Sequence, residues 1–79
     1  MRLDKFLKVS RIIKRRTVAN EACDAGRVTV NGKVARASYD VKIDDVIELT
    51  LGNRAVKVQI VSVQETVAKN DAALLYKIL

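Results

Sequence analysis

Thr17-Val18-Ala19-Asn20-Glu21-Ala22-Cys23-Asp24-Ala25-Gly26-Arg27-Val28-Thr29-Val30-Asn31-Gly32-Lys33-Val34 decides the fold, because two local patterns meet inside it. Residues 18–25 hold four Ala or Val with Glu21 and Asp24 on the outer arc, and Gly26 follows. That predicts a helix closed by a residue that tolerates positive φ. Thr17 offers a side-chain oxygen to cap its start. Past Gly26 the pattern becomes alternation, interrupted by Asn31-Gly32. An Asn-Gly pair between alternating residues is a strong hairpin signal, because both central positions of the favoured two-residue turn need positive φ. Val28 and Val30 are expected inward, with Arg27, Thr29 and Asn31 outward.

Upstream, Leu3, Phe6 and Leu7 recur at helical spacing with Arg2, Lys5 and Lys8 on the remaining arc, so the chain opens on an amphipathic helix. Asp4 lies in its first turn, which suits the helix dipole. A break is expected within residues 10–16. Downstream, after a loop around residues 37–42, Ile47, Leu49 and Leu51 alternate with Glu48 and Thr50; Gly52-Asn53-Arg54 then turns the chain into Val56-Lys57-Val58-Gln59-Ile60 as a second hairpin. A change of face near Val61 and Val63 indicates a bulge or a strand covered on both sides. Residues 71–79 fit two forms: Asp71 can cap a short helix of Ala72 to Tyr76, and residues 76–79 can pair as a strand.

Seventy-nine residues at 49% apolar content allow one small core. With one Cys and no His, neither a disulfide nor a zinc-type metal site is expected to staple it, and no cofactor is implied. Cys23 sits in an Ala-rich segment and reads as a buried thiol. A lone Cys suits a reducing cytosol. No run approaches the ~18 apolar residues of a membrane span and the start lacks the apolar stretch of a signal peptide, so a cytoplasmic protein is expected.

Charge is divided unequally. Residues 1–36 carry ten Lys or Arg against Asp4, Glu21 and Asp24, while residues 37–79 carry five basic and six acidic groups. Clustered cations gain free energy by displacing counterions condensed on phosphates, so a nucleic acid is the leading partner class. A cationic helix face can also be a solvated surface. Against that stands the one-sidedness of the first 16 residues, with seven cations and one acid. Arg27 and Lys33, flanking the hairpin, can extend the positive surface. An interfacial membrane helix is disfavoured, because Phe6 is the single aromatic there and Leu3, Phe6 and Leu7 are needed for the core. Catalysis is disfavoured by the lack of His and of any Gly-rich phosphate loop, and Asp44-Asp45, beside Lys42, reads as a solvated turn. Aromatics are too few for a stacking platform, so contacts to phosphates and helix shape are expected. A structured RNA fits that pattern, and the charge pattern leaves DNA open.

Arg2-Leu3-Asp4-Lys5-Phe6-Leu7, the Arg-rich junction ending in Arg16-Thr17, and Ala25-Gly26-Arg27-Val28-Thr29-Val30-Asn31-Gly32-Lys33 together resemble the alpha-L RNA-binding motif, the domain named after small-subunit ribosomal protein four. The resemblance runs over about residues 2–50. It implies an α+β fold in which two N-terminal helices pack on a small, mainly antiparallel sheet, in a single domain of residues 1–79 with a C-terminal hairpin and tail at 51–79. The full length is similar to stand-alone members: the small ribosome-associated heat shock protein, whose tail Ala72-Ala73-Leu74-Leu75-Tyr76 resembles, and above all the compact ribosome-associated quality control factors (RqcP). That resemblance implies binding to large ribosomal subunits obstructed by peptidyl-tRNA, contact with ribosomal RNA and tRNA, and support of C-terminal alanine tailing by a partner elongation factor.

Carried onto this sequence, the RNA-facing motif falls on Arg2, Lys5, Lys8, Arg11, Lys14, Arg15, Arg16 and Thr17, with Asn31 and Lys33 at the hairpin. Thr17 and Asn31 serve equally well as cap and turn residues. Asp4 is expected to hold Arg2 or Arg16 in place. Many relatives have Gly-Asp where this chain has Asp44-Asp45, and the tolerance of Asp for positive φ should preserve the turn. A non-enzymatic monomer is expected. A large-subunit assembly or recycling factor without a tailing role, and a basic module docking an acidic protein, are the rivals.

Overall fold

Leu3, Phe6 and Leu7 are fully buried along one side of the first helix, α1 (Leu3–Val9), as their spacing predicts. This computed structural model describes residues 1–65 and 67–79. The end of α1 is abrupt. Ser10 caps it, and Arg11 then takes φ +62°, the left-handed conformation that commonly closes a helix. The junction that follows leads into α2 (Arg16–Asp24), which packs Ala19, Ala22 and Cys23 against α1 and the sheet.

The start of α2 departs from the sequence expectation. Its cap position is Arg15, in extended conformation, with no side-chain cap, and Thr17 lies inside the first turn. The end agrees: Gly26 has φ +77° and donates its N–H to the Cys23 carbonyl at 3.1 Å.

Five antiparallel strands follow in the spatial order β2-β1-β3-β4-β5. They are β1 (Val28–Val30), β2 (Lys33–Val34), β3 (Val46–Leu51), β4 (Arg54–Ile60) and β5 (Tyr76–Ile78). The fold is therefore α+β, with two N-terminal helices against one antiparallel sheet. Asn31 at φ +54° and Gly32 at φ +84° make the turn between β1 and β2, and Val28 and Val30 point into the core. Gly52 at φ +58° opens the two-residue loop between β3 and β4. Asp44 takes φ +76°, so the turn ahead of β3 keeps its shape with Asp in the place a glycine would suit.

The tail uses both forms that its sequence allows, in succession. A 3-10 segment, Lys69–Leu75, starts from Ala68 with Asp71 in its first turn rather than as its cap. β5 then pairs Tyr76 with Ile60 and Ile78 with Val58. β4 stops at Ile60 instead of continuing through Val63, and the N–H groups of Val61 and Ser62 both donate to the Leu75 carbonyl, at 2.8 and 3.1 Å. Two donors on one acceptor is the pairing of a bulge, which here ends the ladder.

One core runs through the domain. Leu3, Phe6 and Leu7 of α1 meet Val28, Val30, Ile47, Leu49, Val58 and Ile60 of the sheet, with Leu75 closing the far side. Each such side chain contributes about 1.5–3 kcal/mol through removal from water. Residues 37–41 fasten the helices to this body. The Tyr39 carbonyl accepts the Leu3 N–H at 2.8 Å and the Ala37 carbonyl accepts the Asp4 N–H at 3.2 Å, which pairs two amides that a helix start leaves open. Asp24 Oδ1 accepts the Ala37 N–H at 3.3 Å and ties the end of α2 to the same loop. Among the described residues no helix is long and apolar enough to cross a membrane.

Candidate nucleic-acid interface

Asp4 stands at the centre of the basic face. The residue is 2% exposed, an unusual position for a carboxylate, and its neighbours account for it. Oδ1 accepts the Arg2 Nε–H at 3.2 Å and the Lys5 backbone N–H at 2.8 Å. Oδ2 accepts the Asn20 Nδ2–H at 3.2 Å and the Arg16 Nε–H at 3.4 Å. Burial pushes this carboxyl up, but the hydrogen bonds from Asn20 and Arg16 and the charges of Arg16 and Arg2 outweigh it, so it titrates below its ordinary value. The expected holding role of Asp4 is met for both arginines.

This geometry leaves the guanidinium groups available. Arg2 and Arg16 remain about half exposed, at 51% and 47%, while each uses its Nε–H on Asp4. Among the described residues the remaining N–H groups of each fork have no partner, which leaves them to meet a phosphate from outside. Asn20 was not among the residues singled out in the sequence. An Asn in mid-helix, four residues after Arg16 and so on the same face, is the signal that could have found it.

The start of α2 adds a second favourable element. Arg15 and Arg16 begin it, no side chain caps it and no acid lies in its first turn. Open amide N–H groups and the positive end of the helix dipole therefore coincide with two cations, an arrangement suited to an anion. Arg16, Thr17, Asn20 and Glu21 line an open cleft of about 310 Å³ with Asp4 at its base.

Arg2, Lys5 and Lys8 recur every three residues up the solvent side of α1, a stripe of about 9 Å at helical rise. Lys5 is partly neutralised, since its ammonium pairs with Glu65 across sixty residues of sequence. Lys8 and Arg11 line a cleft with the same Glu65 and with Val67. Lys14 and Arg15 are exposed on the junction leading into α2. Lys33 shares a cleft with Tyr39, whose carbonyl holds the Leu3 amide beside Arg2. Arg27 lines a cleft with Glu21, which also lines the cleft at the start of α2.

Asn31 is committed to the scaffold. Its Oδ1 accepts the Val46 N–H at 2.9 Å and its Nδ2–H donates to Asp45 Oδ1 at 3.0 Å. Asp45 Oδ2 in turn accepts the Lys42 N–H at 2.9 Å, which makes Asp45 a turn residue. Cys23 is 1% exposed, and burial together with the charges of Asp4 and Asp24 pushes its thiol up to about 11. It is a packing residue.

The S4 domain matches residues 1–47. The RQC P-site tRNA stabilizing factor of Halalkalibacterium halodurans is 55% identical over 78 residues, covering 99% of this chain and 89% of the relative. The Bacillus subtilis protein of the same name is 52% identical over 79 residues, covering 100% of this chain and 92% of the relative. Heat shock protein 15 of Escherichia coli is more distant, at 37% identity with 98% of this chain and 59% of that protein covered. Among solved structures, one described as trimeric, of Vibrio cholerae Heat Shock Protein 15, superposes with a TM-score of 0.93 at 30% identity, covering 100% of this chain and 81% of that one. On the strength of the domain match and of full-length identity above one half, this chain belongs to the S4 domain family and, within it, to the RQC P-site tRNA stabilizing factors.

Proposed function

We propose that this chain is a non-catalytic RNA-binding factor of ribosome-associated quality control. It acts on large ribosomal subunits obstructed by peptidyl-tRNA, and contacts ribosomal RNA and the tRNA backbone through Arg2, Lys5, Lys8, Arg11, Lys14, Arg15, Arg16, Thr17 and Lys33. Holding the tRNA in place lets a partner elongation factor continue C-terminal alanine tailing of the stalled chain. The observation that carries this reading is the pair of half-exposed arginines fixed on buried Asp4 beside the uncapped start of α2. Support also comes from the relatives, whose shared name refers to stabilisation of P-site tRNA.

Recognition rests on shape and phosphate, with little reading of bases at this face. If about four phosphates are neutralised, log affinity falls with log salt at a slope of about −3. The protein acts as a single copy. Its two sheet edges are short, and each carries a lysine, Lys33 on β2 and Lys77 on β5, a combination that discourages edge pairing.

Co-sedimentation with purified large subunits across a salt series tests the RNA contact. Flat salt dependence, or retention in ribosomal fractions after nuclease treatment, would favour docking to an acidic protein. Deleting the gene in a strain that depends on alanine tailing tests the role. Tails that persist unchanged would assign the protein to subunit assembly or recycling instead.

A further inference from the structure

The row of β4 side chains that faces the core is Arg54, Val56, Val58 and Ile60. Val58 and Ile60 are fully buried beneath the helices. Nearer the hairpin end the same sheet face emerges from under them, with Leu51 opposite Arg54 and Ile78 opposite Val58. The result is a cleft of about 310 Å³ lined by Arg11, Ile12, Leu51, Arg54, Val56, Tyr76 and Ile78. Two features there conflict with a purely structural role. Arg54 places a cation in a row whose other members are apolar. Arg11 occupies a left-handed position, φ +62°, that a glycine would fill with less strain. The two arginines meet an apolar floor with one aromatic ring, and among the described residues no carboxylate lines the cleft. Arg11 also belongs to the basic face, so the cleft continues it.

We propose that this cleft takes one unstacked nucleotide of the RNA held on the basic face, an inference that rests on the RNA-binding reading above. The base lies on Leu51 and Val56 against Tyr76, and its phosphate is met by Arg11 and Arg54. Burying a planar base on an apolar floor with an aromatic neighbour, and pairing its phosphate with guanidinium forks, is how single-stranded segments are commonly held. Positive charge without a lining acid selects a polyanion over a neutral apolar peptide.

The test uses the full chain, labelled with nitrogen-15, and two probes, adenosine 5′-monophosphate and ribose 5-phosphate. The nucleotide should shift the amides of Leu51, Arg54, Val56, Tyr76 and Ile78, and bind about tenfold more tightly than the sugar phosphate, as one stacked base predicts. Arg54→Ala should weaken nucleotide binding about tenfold. Arg54→Lys, which keeps the charge and loses the fork, should give an intermediate value, and both should melt like the parent because Arg54 is exposed. Equal shifts from both probes, or shifts confined to the surroundings of Arg2 and Arg16, overturn the inference. So does an Asp/Glu-rich peptide that shifts the cleft amides where the nucleotide does not, an outcome that assigns the cleft to a protein partner. Co-sedimentation with large subunits separates this failure from that of the underlying reading. Loss of parent binding defeats both, whereas salt-dependent parent binding with Arg54→Ala equally tight defeats the cleft alone.

Discussion

Asp4→Asn sets two physical arguments against each other. Counting charge, the substitution raises the formal net charge of +6 by one and should tighten binding to RNA. At about 6 Å in water, removing one repulsive charge is worth only about 0.7 kcal/mol, less with salt. Counting positions, it should weaken binding. Asn keeps one acceptor for the Lys5 N–H, but its amide N–H groups then face Arg16 and Asn20, which are donors themselves. Arg16 loses its acceptor and Arg2 keeps only a neutral oxygen in place of a carboxylate, so both long side chains loosen, and re-ordering them on binding costs about 2 kcal/mol. Position outweighs charge by roughly 1.3 kcal/mol, so affinity for large subunits should fall about tenfold. The salt slope should stay near −3, since the cations themselves remain.

The same substitution has a stability signature that checks the geometry independently. Two half-exposed ion pairs are worth about 0.5 kcal/mol each, and the bond from Asn20 adds about 1 kcal/mol. A loss of about 2 kcal/mol lowers the melting temperature by about 10 °C in a domain of this size. Because the folded carboxyl titrates below its unfolded value of 3.8, its contribution is complete above that pH and is lost as pH falls through the lower folded value. Asp4→Asn should therefore flatten the acid limb of the stability profile. Co-sedimentation at a temperature well below the melt, with circular dichroism to confirm folding, reads the affinity. A folded variant that binds as tightly as the parent, or more tightly, would refute the claim that Asp4 holds the arginines for RNA.

Arg2→Ala and Arg16→Ala should each weaken co-sedimentation with large subunits about tenfold, while the melt moves by no more than about 0.5 kcal/mol because both side chains are half exposed. Val30→Ala should cost about 2 kcal/mol in chemical denaturation, since the side chain is 4% exposed and packs in the core; an unaltered midpoint would mean that β1 does not present this face inward. Cys23 should resist a thiol reagent at neutral pH until urea unfolds the chain. Since its folded value is raised to about 11 from 9.0, its contribution to stability is present below pH 9 and declines as pH rises toward 11, a decline that Cys23→Ala should remove.

The legible part of the fold is the part written in short-range patterns. The spacing of Leu3, Phe6 and Leu7, the alternation of Val28 and Val30 and the Asn31-Gly32 turn each depend on residues within a few positions, and each came out as expected. The start of α2 did not. Thr17 is the better intrinsic cap, but Arg16 enters the helix with its Nε on Asp4, a tertiary contact twelve residues back. The tail was ambiguous because both local forms are present, side by side, and the boundary at Tyr76 is set by pairing with Ile60. Within the site, the cations were readable as composition, whereas the holding role of Asp4 came with the resemblance, its place in the first turn arguing only for the helix dipole. Lys5 pairing with Glu65 and the commitment of Asn31 to Asp45 and Val46 were not readable, because each depends on a partner that folding alone brings near.

The division of charge between the two halves acquires a structural meaning from these contacts. Cations crowd the helices and their junction, where their mutual repulsion would favour a more open arrangement. Residues 37–79, which supply β3, β4 and β5, carry five basic and six acidic groups and add no net charge to that repulsion. What holds the crowded side together is largely apolar: Leu3, Phe6 and Leu7 fix α1 on the sheet, and α1 thereby fixes Asp4. Orientation of Arg2 and Arg16 is thus inherited from hydrophobic packing through one buried carboxylate. A buried charge is a weak source of stability by itself and a good source of specific geometry when every partner is in place. In a domain with no disulfide and no metal site among its described residues, that is a physical reason for retaining an acid in the middle of a surface built to meet phosphates.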